Sequence, residues 1–151
     1  MVDMPSRQPA DAPLRHRPVM LAEVLAALGP LDDGIYVDGT FGAGGYSKAI
    51  LEQAEAQVYA IDRDPDALAA GADLAVRFPG RLVLIEGAFS QMPGLLAQHG
   101  VEKVDGIVLD IGVSSMQLSD AERGFSFMAD GPLDMRMSRV GPTAADVVND
   151  Y

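Results

Sequence analysis

Four short apolar runs, residues 35–37, 57–61, 81–85 and 104–109, are separated by stretches of helical spacing or composition. No other feature restricts the fold so strongly. The runs are apolar at successive positions instead of alternating with polar residues, which is the pattern of strands covered on both faces. Strands of that kind joined by helices form βαβ units and a parallel sheet, so the expected class is α/β. Right-handed crossovers place the C-terminal ends of the strands along one edge, where open α/β sheets bind ligands. Asp38, Asp62 and Asp110 stand at the ends of the first, second and fourth runs, and Phe89 follows the third. Topology alone gathers these four on one rim.

Helices are expected over residues 19–28, stopped by Gly29 and Pro30, then over 47–54, 66–77 and 92–98. Pro65 sits at the start of the third, where proline fits. Beyond Asp110 the composition turns to Gly, Ser, Asp and Met. That segment reads as a long functional loop leading to a last helix near residues 144–149. A doubly wound sheet usually has more than four strands. The sequence therefore reads as part of a longer protein.

The first run enters a glycine-rich turn, DGTFGAGG, residues 38–45. Gly42, Gly44 and Gly45 allow a tight turn and close approach of a ligand to the backbone. A dinucleotide fingerprint wants a third glycine three residues beyond the second, and Ser47 stands there. A phosphate-binding P-loop wants Gly-Lys-Ser/Thr, which is absent. Asp38, at the end of the first strand, repels a pyrophosphate and favours a cation. S-adenosylmethionine carries a sulfonium and an ammonium and no phosphate. Asp62 lies about twenty residues beyond the loop, where an acid takes ribose hydroxyls. It serves NAD equally well, so the choice between the two cofactors rests on Asp38 and the missing glycine. Asp62, Asp64 and Asp66 also spell D-x-D-x-D, but a calcium loop needs glycine next and Ala67 follows. Asp64 is read as a helix N-cap and Asp66 as a first-turn acid facing the dipole. No metal is expected.

Formal net charge is −11, whereas nucleic-acid binders normally present basic surface. Phosphate contacts would have to come from local clusters, Arg15–His16–Arg17 or Arg123, Arg136 and Arg139; the plainer reading of both is solvated surface. No Cys is present, which excludes disulfides and thiolate metal sites and suits a cytoplasmic protein. No apolar run approaches the ~20 residues of a membrane span. Residues 1–14 read as a loose arm and not as a signal peptide.

Five strings carry a resemblance: RHRPVMLAEV (15–24), YVDGTFGAGGYS (36–47), AIDRDPDAL (60–68), DGIVLDIGVSSMQL (105–118) and ERGFSFMADGPLDMRM (122–137). With them the chain resembles the bacterial 16S ribosomal RNA cytosine-N4 methyltransferases, the RsmH or MraW family. The first three strings are common to methyltransferases generally, and the last two are the specific ones. The resemblance implies a Rossmann-like core that binds S-adenosylmethionine. Gly44, Gly45 and Tyr46 would line its methionine part, Asp62 its ribose and Phe89 its adenine. Asp110 and Gln117 would complete the pocket. Tyr46 stands where the family often has His, and Met116 where it often has Pro. Residues 15–118 would be the core, and 119–151 a loop and the start of an inserted helical domain. The implied reaction is methylation of a cytidine amine in 16S ribosomal RNA or the small ribosomal subunit. The alternatives are a methyltransferase of the same fold acting on a small molecule or protein, and a cofactor-binding module without activity.

The exocyclic amine of cytosine is a poor nucleophile because its lone pair is delocalised into the ring. A group that accepts one of its hydrogens raises its electron density. Asp110 is the candidate, with cofactor binding as its alternative role. Phe125 and Phe127 read either as base-stacking groups or as packing anchors, the latter favoured. Met128, Met135 and Met137 read as core or lid residues.

Overall fold

The computed structural model describes residues 18–150, so Arg15, His16, Arg17 and the N-terminal arm lie outside the described residues. Four parallel strands, β1 (Ile35–Asp38), β2 (Gln57–Asp62), β3 (Leu82–Glu86) and β4 (Gly106–Val108), form one sheet in the order β3-β2-β1-β4. The order runs outward from β1 to β3 and then returns to the far side of β1. The crevice between β1 and β4 is therefore the topological switch point, where such sheets bind ligands. Asp38 is in register with Ala60 on one side and Val108 on the other.

Alternate residues of β1 and β2 face opposite sides of the sheet, as the two-residue period of a strand requires. Tyr36, Val58 and Ala60 join Ile50 and Leu51 of α2 (Gly45–Gln53) in one cluster. Leu25 and Leu28 of α1 (Leu21–Leu28) pack against it. Val37, Tyr59 and Ile61 join Met92 and Leu96 of α5 (Met92–Gln98) on the other face. Each such side chain, once buried, contributes roughly 1.5–3 kcal/mol. β1 and β2 are thus covered on both faces, as the apolar runs predict.

β4 departs from that expectation. Only three residues pair, and Ile107 and Leu109 remain 47% and 43% exposed. Among the described residues β4 is an edge strand, paired with β1 alone. Asp110 stands two residues beyond the paired segment.

The single helix expected over residues 66–77 is two, α3 (Pro65–Ala70) and α4 (Ala72–Arg77), broken at Gly71. The Phe41 ring lies where a Gly71 Cβ would sit. The chain bends there to let the glycine-rich turn seat its aromatic. Asp64 caps α3 by accepting from the Asp66 N–H at 3.1 Å, as read from sequence. The segment after β4 is not wholly irregular. It contains α6 (Ser115–Ser119), capped by Ser114, and a 3₁₀ turn at Ala121–Arg123. The last helix, α7, spans Ala144–Asp150. Among the described residues no helix is long and apolar enough to cross a membrane.

Candidate functional site

A cavity of about 420 Å³ opens at the C-terminal edge of the sheet, over the switch point. The glycine-rich turn forms its floor. Asp62, Phe89, the turn after β4 and Met137 form its walls, and Pro18 and Val19 close one side. Gly42, Gly45, Tyr46, Asp110 and Gln117 also line it. Seven of the nine residues singled out from sequence are thus brought to one cavity.

Asp38 and Gly44 are not brought to its wall, and each has a structural reason. The Asp38 side chain turns beneath the loop and is wholly buried. It accepts from the Ser47 hydroxyl at 2.7 Å, the Ser47 N–H at 3.2 Å and the Thr40 N–H at 3.3 Å. Burial pushes its pKa up to about 6; the bonds from Ser47 and Thr40 oppose that rise, and the Asp62 charge adds to it. The expected direct contact with a cationic ligand is replaced by a role under the floor: Asp38 holds both ends of the turn and places a negative charge below it. Gly44 is the left-handed residue (φ 74°) at which the turn becomes α2. A Cβ there would stand 2.7 Å from the Phe41 ring.

Asp62 lines the cavity and also braces it. Its two carboxylate oxygens accept from the Gly42 N–H at 2.7 Å and the Asp64 N–H at 2.9 Å. Other N–H groups of the turn are likewise engaged. Phe41 donates to the Ile61 carbonyl at 3.1 Å and Gly44 to the Phe41 carbonyl at 2.7 Å. Asp110 is exposed to the cavity, and its N–H donates to the Thr40 hydroxyl at 2.7 Å, which ties the end of β4 to the turn after β1. Gly39 donates to the Val108 carbonyl across the same crevice at 3.0 Å.

The Tyr46 hydroxyl donates to the Val19 carbonyl at 2.5 Å and so anchors the segment before α1 over the turn. Its pKa is raised by burial first, then by the Asp110 and Asp38 carboxylates. A Cβ on Gly45 would run into Pro18 of that segment. Phe89 is 42% exposed and opens a 3₁₀ turn after β3.

Gln117 is buried, with its side chain fixed at both ends. Its Oε1 accepts from the Ser114 N–H at 3.0 Å and its Nε2 donates to Asp64 Oδ2 at 2.8 Å. Arg123 reaches the same oxygen, at 2.8 Å. The expectation of loose basic groups at Arg123, Arg136 and Arg139 is corrected here. Arg123 is buried against Asp64, Arg139 pairs with Asp66 at 2.5 Å, and Arg136 pairs with Asp134 at 2.6 Å. The sequence reading missed Arg123, because arginine in a Gly- and Ser-rich segment is normally exposed. The two phenylalanines divide: Phe125 is a buried anchor, whereas Phe127 is fully exposed. Met128 is also exposed and is not a core residue.

The sequence model of the MraW methylase family matches residues 13–151. The chain belongs to that family. It is 62% identical over 143 residues to a protein of Xanthobacter autotrophicus, and 64% identical over 136 residues to one of Parvibaculum lavamentivorans. Both carry the name ribosomal RNA small subunit methyltransferase H. The alignments cover 93% and 90% of this chain but 41% and 40% of those proteins, so the chain spans about two fifths of their length. Among solved structures it is similar to an rRNA methylase from Streptococcus thermophilus, with a TM-score of 0.50 and 22% identity. That match covers 66% of this chain and 57% of the other. It concerns the fold alone, a Rossmann-like methyltransferase sheet.

Proposed function

We propose that the cavity binds S-adenosylmethionine, and that the protein transfers its methyl group to the N4 amine of a cytidine in 16S ribosomal RNA of the small subunit. One observation carries the cofactor half. The Phe41, Gly42 and Gly44 N–H groups of the turn are given to the protein's own acceptors, and the charged groups at the cavity wall are mostly acids. A pyrophosphate binds through free turn N–H groups and is favoured by positive charge. Here it would meet two carboxylates, Asp62 and Asp110, with only the exposed Arg63 of opposite sign among the charged lining residues. A ligand with a sulfonium and an ammonium suits that field. Family membership and the names of the relatives support the substrate half.

In this reading Gly42, Gly45 and Tyr46 flank the methionine part, with Gly44 setting the turn and Asp38 charging it from below. Asp62 takes the ribose hydroxyls with the lone pairs left over from Gly42 and Asp64. Phe89 covers the adenine, and Gln117 closes the wall beside it. When bound, S-adenosylmethionine supplies an electrophilic methyl group on a positively charged sulfur. Transfer to an amine is an in-line displacement, governed by alignment. Asp110, held by Thr40 at the switch point, accepts a hydrogen of the target amine and returns electron density to its nitrogen. A cytoplasmic site of action, with the ribosomal subunit as partner, is part of this proposal.

The test is methyl transfer from labelled cofactor to 16S RNA or small-subunit particles, followed by nucleoside analysis. N4-methylcytidine is the expected product. Label only in protein or a small molecule would reject the substrate half and leave the cofactor half standing.

A further inference from the structure

Arg123 is a charged group with almost no contact with solvent, placed where the proposed chemistry has no use for a cation. Its side chain is 5% exposed and that of its partner Asp64 is 4% exposed. Burying such a pair is expensive in desolvation, and it persists only where every hydrogen-bonding site is met. Those sites are met in a particular way. Nη1 donates to Asp64 Oδ2 at 2.8 Å and to Asp66 Oδ2 at 3.2 Å, and Nη2 donates to the carbonyls of Arg136 at 3.1 Å and Met137 at 2.9 Å.

The Asp64 and Met137 contacts lead to the cavity wall. Asp64 Oδ2 also receives Gln117 Nε2 at 2.8 Å. The Asp64 N–H is given to Asp62 Oδ1 at 2.9 Å, and the other Asp62 oxygen holds Gly42. Met137 lines the cavity directly. One guanidinium therefore sets three parts of the wall that come from distant stretches of chain: Asp62 at the end of β2, Gln117 on α6, and Met137 far beyond it. A fork of fixed donors does this where a flexible ammonium does not. The adjacent backbone is bent to fit, with Met135 at φ 57°.

We propose that Arg123 is a positioning residue for the cofactor site: through Asp64 and the 136–137 carbonyls it holds Asp62, Gln117 and Met137 in their binding arrangement. The inference rests on the cofactor reading above. Arg123 touches no ligand itself; it acts on affinity by fixing the groups that do.

The test compares Arg123→Lys, Arg123→Met and Asp64→Asn with the unchanged protein, using S-adenosylhomocysteine as the titrant in calorimetry and thermal unfolding as the control for folding. Lysine keeps the charge and one bond to Asp64 but does not span both carbonyls. Affinity is expected to fall by about 10–100-fold in Arg123→Met, the loss matching a hydrogen bond to a charged group. Arg123→Lys is expected to fall by less, with its melting transition still cooperative at the titration temperature. Losses in Arg123→Met and Asp64→Asn should not add in the double variant, because both act through one oxygen. Should Arg123→Met be unfolded, Arg123→Lys decides alone. A folded lysine variant with unchanged affinity overturns the positioning role. Failure of the unchanged protein to bind S-adenosylhomocysteine overturns the cofactor reading, and this inference with it.

Discussion

The cavity has two walls of unlike construction. One is made by β1, β2 and the glycine-rich turn. Its strand residues Tyr36, Val37 and Ile61 are at most 1% exposed, and its carboxylates are tied to backbone N–H groups of the turn. The other is made by the segment after β4. There Ile111 is 71% exposed, Val113 43% and Phe127 fully exposed, and what holds the segment down is charge: Arg123 on Asp64 and Arg139 on Asp66. The first wall forms with the core, so groups that bind stand on rigid elements. The second has few buried apolar contacts, the mark of a region that opens at low free-energy cost. Such a division suits an enzyme that must hold a small cofactor firmly and admit a large substrate on the other side. Exposed ion pairs such as Arg139–Asp66 add little to stability. Among the ion pairs of the second wall, the buried Arg123–Asp64 pair therefore matters most, beside the Gln117–Asp64 bond and the buried Phe125.

The comparison is sharpened most by separating turnover from affinity. Asp110 belongs to the second wall, and Asp110→Asn keeps its size while removing its charge. Methyl transfer at saturating cofactor should fall by about 10²–10⁴-fold, the range for positioned proton acceptors. The dissociation constant should change far less. A variant with full turnover removes Asp110 from the chemistry and points to backbone carbonyls of the turn after β4.

Stability should divide the same way. Ile50→Ala removes a fully buried side chain behind the first wall. It should cost about 2–5 kcal/mol in urea unfolding. Ile111→Ala on the second should stay within about 0.5 kcal/mol. Comparable losses at the two positions would mean that the second wall is packed as tightly as the first.

Asp38 gives the first wall a pH signature. The folded protein holds its proton up to about 6, against the ordinary 3.8. Between those values the folded state binds more protons than the unfolded one, so this group's contribution to stability is fully present below 3.8 and is lost as pH rises through 6. The gap corresponds to about 3 kcal/mol. Urea midpoints measured from pH 4 to 7 should carry a downward component in the unchanged protein that Asp38→Asn lacks. Identical slopes in the two proteins would show that Asp38 titrates normally and is not sealed under the turn.

A smaller loss is expected in affinity. Asp62→Ala removes the proposed ribose acceptor and the brace for Gly42, and should weaken cofactor binding by about 1–3 kcal/mol. Unchanged affinity in a folded variant would move the ligand away from β2.

How much of this was legible in the sequence depends on distance along the chain. The sheet was, because apolar runs and helical spacing are local patterns. Asp62 and Phe89 were, because strand ends share a rim whatever the details. Asp38 was placed on the right rim but on the wrong side of the turn. Its orientation depends on Ser47, nine residues on, reaching back from the first turn of α2. The break at Gly71 was hidden because it answers to the Phe41 ring from another element. α6 was missed because five residues are too few to show a period. Arg123 was read as surface because its partner lies 59 positions away and nothing local marks an arginine that will be buried.

The proposed preference of this cavity for a cationic ligand without phosphate is tested most directly by titrating the purified protein with S-adenosylmethionine and, separately, with NAD. Saturable binding of S-adenosylmethionine and none of NAD is the predicted result. Equal affinity for the two would contradict that preference, because a pyrophosphate would then be tolerated beside the Asp62 and Asp110 carboxylates and over a turn whose Gly42 N–H is already bonded to Asp62.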